Sequence, residues 1–304
     1  MVIPAATNGF PVTSIGEEAF VESLLTSVTI PNSVTSIGDG AFTVCASLTS
    51  ATIGTGVTNI GEGAFAGCTS LTSVTIGNGV TSIGIQAFYN CRSLTSVTIP
   101  NSVTSIGEGA FFECTNLTSV TIGTGVTNIG DNAFAYCISL TSATIPDSVT
   151  SIGDQAFRGC SSLTNVTIPN SVTSIGEVAF LECTSLKSAY FQGNAPPDNG
   201  NAFSGDPATV YYLSGTTGWG PTFGSVPTAL WNPQANTLSF ASGHFGFNLT
   251  GPTNAVIVVE ACTNLSHAVW LPVATNTFSG SGTSAFSDFQ SGAHPTRFYR
   301  VRSP

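Results

Sequence analysis

The sequence predicts a mainly β fold with short helical turns: a solenoid of stacked coils, then a small antiparallel β-sandwich. Three observations lead there. Cysteines recur every 23 residues, at Cys45, Cys68, Cys91, Cys114, Cys137, Cys160 and Cys183. Phenylalanines keep the same step from Phe42 through Phe65, Phe88, Phe111, Phe134, Phe157 and Phe180 to Phe203, with Phe20 one residue out of phase. Beyond residue 232 the period is lost, and short β-branched and aromatic runs alternate with Gly, Pro, Asn and Ser. A fixed period of this size means copies of one supersecondary unit that share a core by stacking.

The unit is legible in Leu71 to Ser93, whose apolar positions are Leu71, Val74, Ile76, Val80, Ile83, Ala87, Phe88 and Cys91. Leu71–Ile76 is short and β-branched and reads as a strand. Gly77-Asn78-Gly79 is turn chemistry, replaced in other copies by Pro31-Asn32-Ser33 or Pro100-Asn101-Ser102. Val80–Ile83 is a second extended piece, ended by Gly84, and Ile85–Asn90 reads as one helical or 3₁₀ turn. The apolar side chains of one copy have nothing to pack on without the next.

These residues resemble a known family. The pattern LxSVTIPxSVTSIGxxAFxxCxSL is similar to the BspA-like (Treponema-type) leucine-rich repeats, with copies beginning at Leu25, Leu48, Leu71, Leu94, Leu117, Leu140, Leu163 and Leu186. The resemblance implies a right-handed leucine-rich-repeat solenoid over residues 1–190. It also implies a bacterial surface or secreted protein, some relatives being implicated in adhesion to host matrix and in aggregation between cells. A fold family does not fix a partner.

Composition narrows the function classes. Charged residues make up 7% of the chain, and the net charge is −10 from 6 basic and 16 acidic residues. No basic stripe exists to neutralise phosphates, so nucleic acid is not an expected partner. No apolar run is long enough to span a bilayer. Val2-Ile3-Pro4 reads as the tail of a repeat strand, so Met1 is expected to be an internal start or truncation, with no signal peptide visible. One cysteine per repeat is a ladder, expected as buried reduced thiols that pack as small hydrophobes. No ligand pair has zinc spacing. All three histidines, His244, His267 and His294, lie outside the repeats, and no nucleophile motif occurs. No enzyme, cofactor or metal is expected.

Two columns are candidates for function. The residue after each repeat glycine is acidic in Glu17, Asp39, Glu62, Glu108, Asp131, Asp154 and Glu177, with Ile85 the departure. Such carboxylates are expected to meet free N–H groups at the start of the helical turn, with a row of cation sites as the alternative. The second candidate is a hydroxyl array on the long strand. Thr49, Thr72, Thr95, Thr118 and Thr141 form one column, and Thr52, Thr75, Thr98, Thr121 and Thr144 another, with Ser50, Ser73, Ser96, Ser119 and Ser142 between them. Alternation points them outward while Leu, Val and Ile point in. The face lacks Trp, Tyr and Arg, so binding there is expected to be multivalent rather than tight at each site. The expected partner is a protein or glycan surface; the alternative is an ordered lattice such as ice or polysaccharide.

After Leu186 the pattern decays, and residues 191–232 read as a degenerate cap and linker over the open solenoid end. Residues 233–304 read as a sandwich of about five strands: Phe245–Leu249, Ala255–Ala261, Trp270–Thr275, Ser284–Asp288 and Phe298–Arg302. Ile257–Leu265, Trp270 and Arg297–Arg300 are similar to a C-terminal module of secreted environmental bacterial proteins, which implies export or display. Arg297, Arg300 and Arg302 are expected to be solvated or paired, with binding to an anionic envelope component as the alternative.

Overall fold

The computed structural model describes residues 1–241, 244–253, 255–294 and 296–304. Regular structure is almost wholly β; among the described residues the one helical element is a 3₁₀ turn at Ser291–Ala293. Each 23-residue repeat makes one coil. In the long strand Ser119–Thr121, Val120 turns inward while Ser119 and Thr121 face out. The short strand of the preceding coil is Ser105–Ile106, with Ile106 buried. Neighbouring coils pair in parallel and in register: Val97 meets Val120, and Ile106 lies between Ile83 and Ile129.

Long strands form one sheet from Ser27–Ile30 through Ser50–Ile53 to Ser73–Thr75. A second begins at Ser96–Thr98 and continues through Ser119–Thr121, Ser142–Thr144, Asn165–Ile168, Ser188–Phe191 and Thr209–Leu213 to Val226–Trp231. Short strands, from Ser14–Ile15 to Ser174–Ile175, make one unbroken parallel sheet of eight. Val2 bridges Thr29 in parallel, and a small hairpin, Ala6–Thr7 with Phe10–Pro11, intervenes before the first short strand.

Between the short strand and the next long strand the chain runs through an arc. The arc keeps the i→i+3 bonding of a 3₁₀ turn at every second residue: Ala41 N–H donates to Gly38, Thr43 to Gly40 and Cys45 to Phe42. The residues between donate to the next coil: Gly40 to Glu62, Phe42 to Ala64 and Val44 to Ala66. This division demands left-handed backbone at two places per arc, filled by Gly63 and Gly67 in one coil but by Gln86 and Asn90 in the next. A continuous helix would keep all its bonds inside one coil, so the arc gives up helical regularity to bond its neighbour.

Inside the arcs the phenylalanines form a continuous stack from Phe20 to Phe203. Ring centroids are 4.9–5.4 Å apart, with planes within 13° of parallel. Around it each coil buries the same set of apolar positions; in one coil Leu94, Val97, Ile99, Val103, Ile106, Ala110, Phe111 and Cys114 are all 3% exposed or less. Coils approach closely at the corner glycines. A Cβ on Gly107 would stand 2.7 Å from the Gly84 carbonyl carbon.

Two three-stranded antiparallel sheets form the C-terminal sandwich. One orders Gln234–Ala241, His244–Thr250 and Thr283–Asp288; the other orders Leu271–Thr277, Val256–Cys262 and Phe298–Arg302. Gln234–Ala241 is a sixth strand, beyond the five that the sequence predicts. It lies at a sheet edge, with Leu238 and Phe240 at 70% and 72% exposed, so no buried-face alternation marks it.

At the far end the thiol column changes chemistry. Asp206 stands 23 residues after Cys183, with both carboxyl oxygens buried. Burial pushes its pKa up to about 7, the Cys183 backbone pulling against it and the Glu182 charge adding to it. A carboxyl raised above its unfolded value favours folding when protonated. The stability it allows is therefore full below the unfolded value near pH 4 and is lost as pH climbs to about 7. Asp206→Cys should flatten this component: the thermal midpoint difference between variant and wild type should grow from pH 4 to pH 7. Phe111→Ala, opening the stack between Phe88 and Phe134, should lower unfolding free energy by about 3–5 kcal/mol in urea titration.

Candidate interaction surface

The outward side of the long-strand sheet carries the predicted hydroxyl array, and all ten of its threonines are exposed. They divide by what their hydroxyls do. Thr49 Oγ1 donates to the Thr26 carbonyl at 2.8 Å, Thr72 to Thr49 at 3.0 Å, Thr118 to Thr95 at 3.0 Å and Thr141 to Thr118 at 3.2 Å. Each of these carbonyls also accepts the same residue's backbone N–H, using both lone pairs. These four side chains join coil to coil. Thr52, Thr75, Thr98, Thr121 and Thr144, on the strand itself, have no side-chain hydrogen bond among the described residues, and Thr95 also has none. Their donors and acceptors face solvent.

A third threonine column, beside the short strands, is likewise internal. Thr35, Thr58, Thr81, Thr104, Thr127, Thr150 and Thr173 each donate to the carbonyl one coil back, at 3.0–3.2 Å. The three aspartates of the acidic column cap backbone N–H groups, but on the following coil rather than their own, and among the described residues its four glutamates make no such bond. Asp39 Oδ1 accepts from Glu62 N–H at 2.8 Å, Asp131 from Asp154 at 2.8 Å and Asp154 from Glu177 at 2.7 Å. Among the described residues no group of three His, Cys, Asp or Glu side chains is placed to hold a metal ion.

All eight cysteines are buried and unpaired. From Cys68 to Cys183, each thiol donates to the carbonyl of a phenylalanine 26 residues earlier, as Cys68 does to Phe42 at 3.2 Å and Cys114 to Phe88 at 3.3 Å. Burial pushes the thiols of Cys68 and Cys114 up to about 12, the Cys45 and Cys91 backbones respectively working against it.

The outward Thr column does not run the full length of the sheet. One repeat after Thr167 the position is Tyr190, and its parallel partner on the next strand is Tyr211. Both rings enter the sandwich core with Phe247, Leu249, Ile257 and Phe278. Tyr211 Oη donates to the Thr253 carbonyl at 3.0 Å, Val256 N–H donates to Tyr190 Oη, and Thr167 Oγ1 donates to the Pro304 carbonyl at 2.7 Å. The sandwich therefore sits on the C-terminal end of the same face, and Thr144 lines the groove at its edge with Arg302 and Pro304. The change from Thr to Tyr in the column was the available signal.

The three sandwich arginines are paired. Arg300 and Arg302 each place Nε 2.7 Å from a carboxylate oxygen of Glu260, and Arg297 lies 3.1 Å from Asp288. Burial works against the Glu260 charge, but the hydrogen bonds and charges of Arg302 and Arg300 prevail and hold it below the ordinary range. Arg300 also covers the Trp270 ring at 4.6 Å. Their charges are engaged inside the module.

The repeat geometry and its columns agree with one family. The family described as BspA type leucine rich repeat region matches residues 8–100 and 81–208, with six copies. The chain belongs to it. A leucine-rich repeat protein from Bacteroides ovatus is similar at 30% identity, over 69% of this chain and 62% of its own, with a TM-score of 0.55. The match thus spans less than two thirds of that protein. A leucine rich cell surface protein from Faecalibacterium prausnitzii matches at 30% identity, over 71% of this chain and 82% of its own, with a TM-score of 0.43. The T. pallidum leucine rich repeat protein matches at 28% identity, over 61% and 76%, with a TM-score of 0.49. No curated protein matches. In this BspA-type chain no described helix is long and apolar enough to cross a membrane.

Glu260→Gln removes the charge that holds two arginines. It should lower sandwich stability by about 1.5–3 kcal/mol, read as earlier chemical unfolding in near-ultraviolet circular dichroism, to which Trp270 beside Arg300 contributes.

Proposed function

We propose that the protein is a non-catalytic surface or secreted interaction protein whose Ser/Thr face engages protein or glycan partners. One observation carries this reading: Thr52 pairs in register with Thr75 and Thr98 with Thr121, all four exposed, with hydroxyls that no internal group takes up. A hydroxyl donates once and accepts twice. Repeated at the roughly 4.8 Å spacing of paired strands, such groups offer a regular row to polar surfaces such as glycans or extended peptides. Each contact is weak, and avidity comes from the number of coils engaged together. Membership of the BspA-type family supports a binding rather than a catalytic role, and display or secretion forms part of the same proposal.

The alternative, an ordered lattice such as ice or crystalline polysaccharide, asks for a long uninterrupted array. Strand pairing lapses between Ser73–Thr75 and Ser96–Thr98, and the sandwich covers the far end of the face. Those two interruptions favour the first reading.

An array of matrix proteins and glycans probed with the intact chain tests it. Thr75→Glu and Thr98→Glu together should reduce retained binding by about tenfold, the scale expected when avidity is broken, while the thermal midpoint stays put. Binding that is indifferent to both changes would remove the face from consideration, and a blank array would remove the interaction role.

A further inference from the structure

On the arc side of the solenoid one column varies from coil to coil. From Phe42 to Phe180 the residue after the core phenylalanine is Thr43, Ala66, Ala135, Arg158 and Leu181 in five coils, but aromatic, Tyr89 and Phe112, in two adjacent ones. Their rings stack at 5.4 Å with 15° between planes. Tyr136, from the next position along its arc, meets Phe112 edge-on at 5.5 Å. The Tyr136 ring lies across Gly159, where a Cβ would come within 2.6 Å of it, so the glycine seats the ring. In the same coils Ile85 interrupts the acidic column. The result is a half-buried aromatic strip along the rod.

One end of the strip is occupied by the chain itself. The Arg158 guanidinium lies over the Tyr136 ring at 5.5 Å. It donates to Gln155 Oε1 at 2.9 Å and to Glu182 Oε1 at 3.3 Å. A ring, a glutamine and a glutamate thus hold one guanidinium. Three coils earlier, Gln86 occupies the column of Gln155. There the rings are Tyr89 and Phe112 and the carboxylate is Glu108, around a groove of about 190 Å³ completed by Gly109 and Asn132. No arginine of the chain fills it: Arg92 bonds Asn90 and Glu113 instead. Among the described residues Glu108 has no ion-pair partner.

We propose that this groove binds an arginine side chain of a partner protein. The guanidinium stacks on the Tyr89–Phe112 rings, its N–H groups reach the Glu108 carboxylate, and the side-chain oxygens of Gln86 and Asn132 are further acceptors. The chemistry selects arginine over lysine, because a planar fork both stacks and bonds in two directions while an ammonium is a compact, strongly hydrated charge. The chain's net charge of −10 draws cationic partners toward it. Peptide addition by backbone pairing is excluded here, since the arc's N–H groups are already shared between their own coil and the next. The groove lies apart from the Ser/Thr face, so the two readings fail separately.

Isothermal titration of the full chain with a tetra-arginine peptide, a tetra-lysine peptide and cellotetraose, at physiological salt, tests the proposal. The arginine peptide should bind about fivefold more tightly than the lysine peptide, and Glu108→Gln or Phe112→Leu should each weaken it about fivefold. Asp39→Asn removes an equal charge on a distant coil and should leave binding unchanged. Circular dichroism melting confirms that each variant is folded, and Glu108→Gln, at an exposed position, keeps the test valid should Phe112→Leu unfold. No arginine binding, equal arginine and lysine affinity, or equal loss with Asp39→Asn would overturn the proposal. So would cellotetraose binding that alone depends on Phe112, which would assign the groove to a glycan.

Discussion

Sharing of backbone hydrogen bonds between successive coils is the constraint on which everything else rests. The long strands, the short strands and the arc all direct N–H groups to a neighbour, as Val120 beside Val97, Ile129 beside Ile106 and Phe42 to Ala64 illustrate. A coil taken alone would leave these groups unpaired next to an apolar interior, which is unfavourable in water and worse when buried. Neighbours therefore lock in register, and a residue type written once per repeat becomes a line of identical atoms. The phenylalanine stack, the thiol ladder and the threonine staples are three products of that one condition.

Much of this architecture is visible in the 23-residue period, because Leu, Val, Ile, Phe and Cys occupy the same places in copy after copy. The arc is less visible. Its left-handed positions hold Gly40, Gly63 and Gly109 in some coils but Asn132, Gln155 and Val178 in others, so composition gives a mixed message. Hydroxyl destinations are invisible in sequence: Thr72 and Thr75 look equivalent, yet the first is bonded to the coil before it and the second faces solvent. The strand Gln234–Ala241 lacks a sequence signature for a related reason, since its side chains 234–240 are all exposed and leave no buried side to impose a pattern. Tyr190 and Tyr211 were readable as a break in the Thr column, but only the three-dimensional contact reveals that the sandwich rests there.

The two parts of the molecule handle charge in opposite ways. Up to Tyr190 the chain has 12 acidic and 3 basic residues, and most of its acidic column stays exposed, giving the rod a negative side. The sandwich encloses Glu260 and Asp288 and surrounds them with arginines, so its few charges hold its sheets together. Cations approaching from solution meet a field from the rod rather than from the module.

The thiol ladder has a consequence for chemistry outside the folded state. Each sulfur is screened from solvent and hydrogen-bonded to a carbonyl, so it is poorly ionised and a poor nucleophile. Alkylating reagents and oxidants therefore reach it only when its own coil opens. Seven such sulfurs, one per coil from Cys45 to Cys183, make the chain a ruler of local breathing. The rate at which each is modified reports how often that level of the rod comes apart, and so whether the rod frays from its ends or separates in the middle.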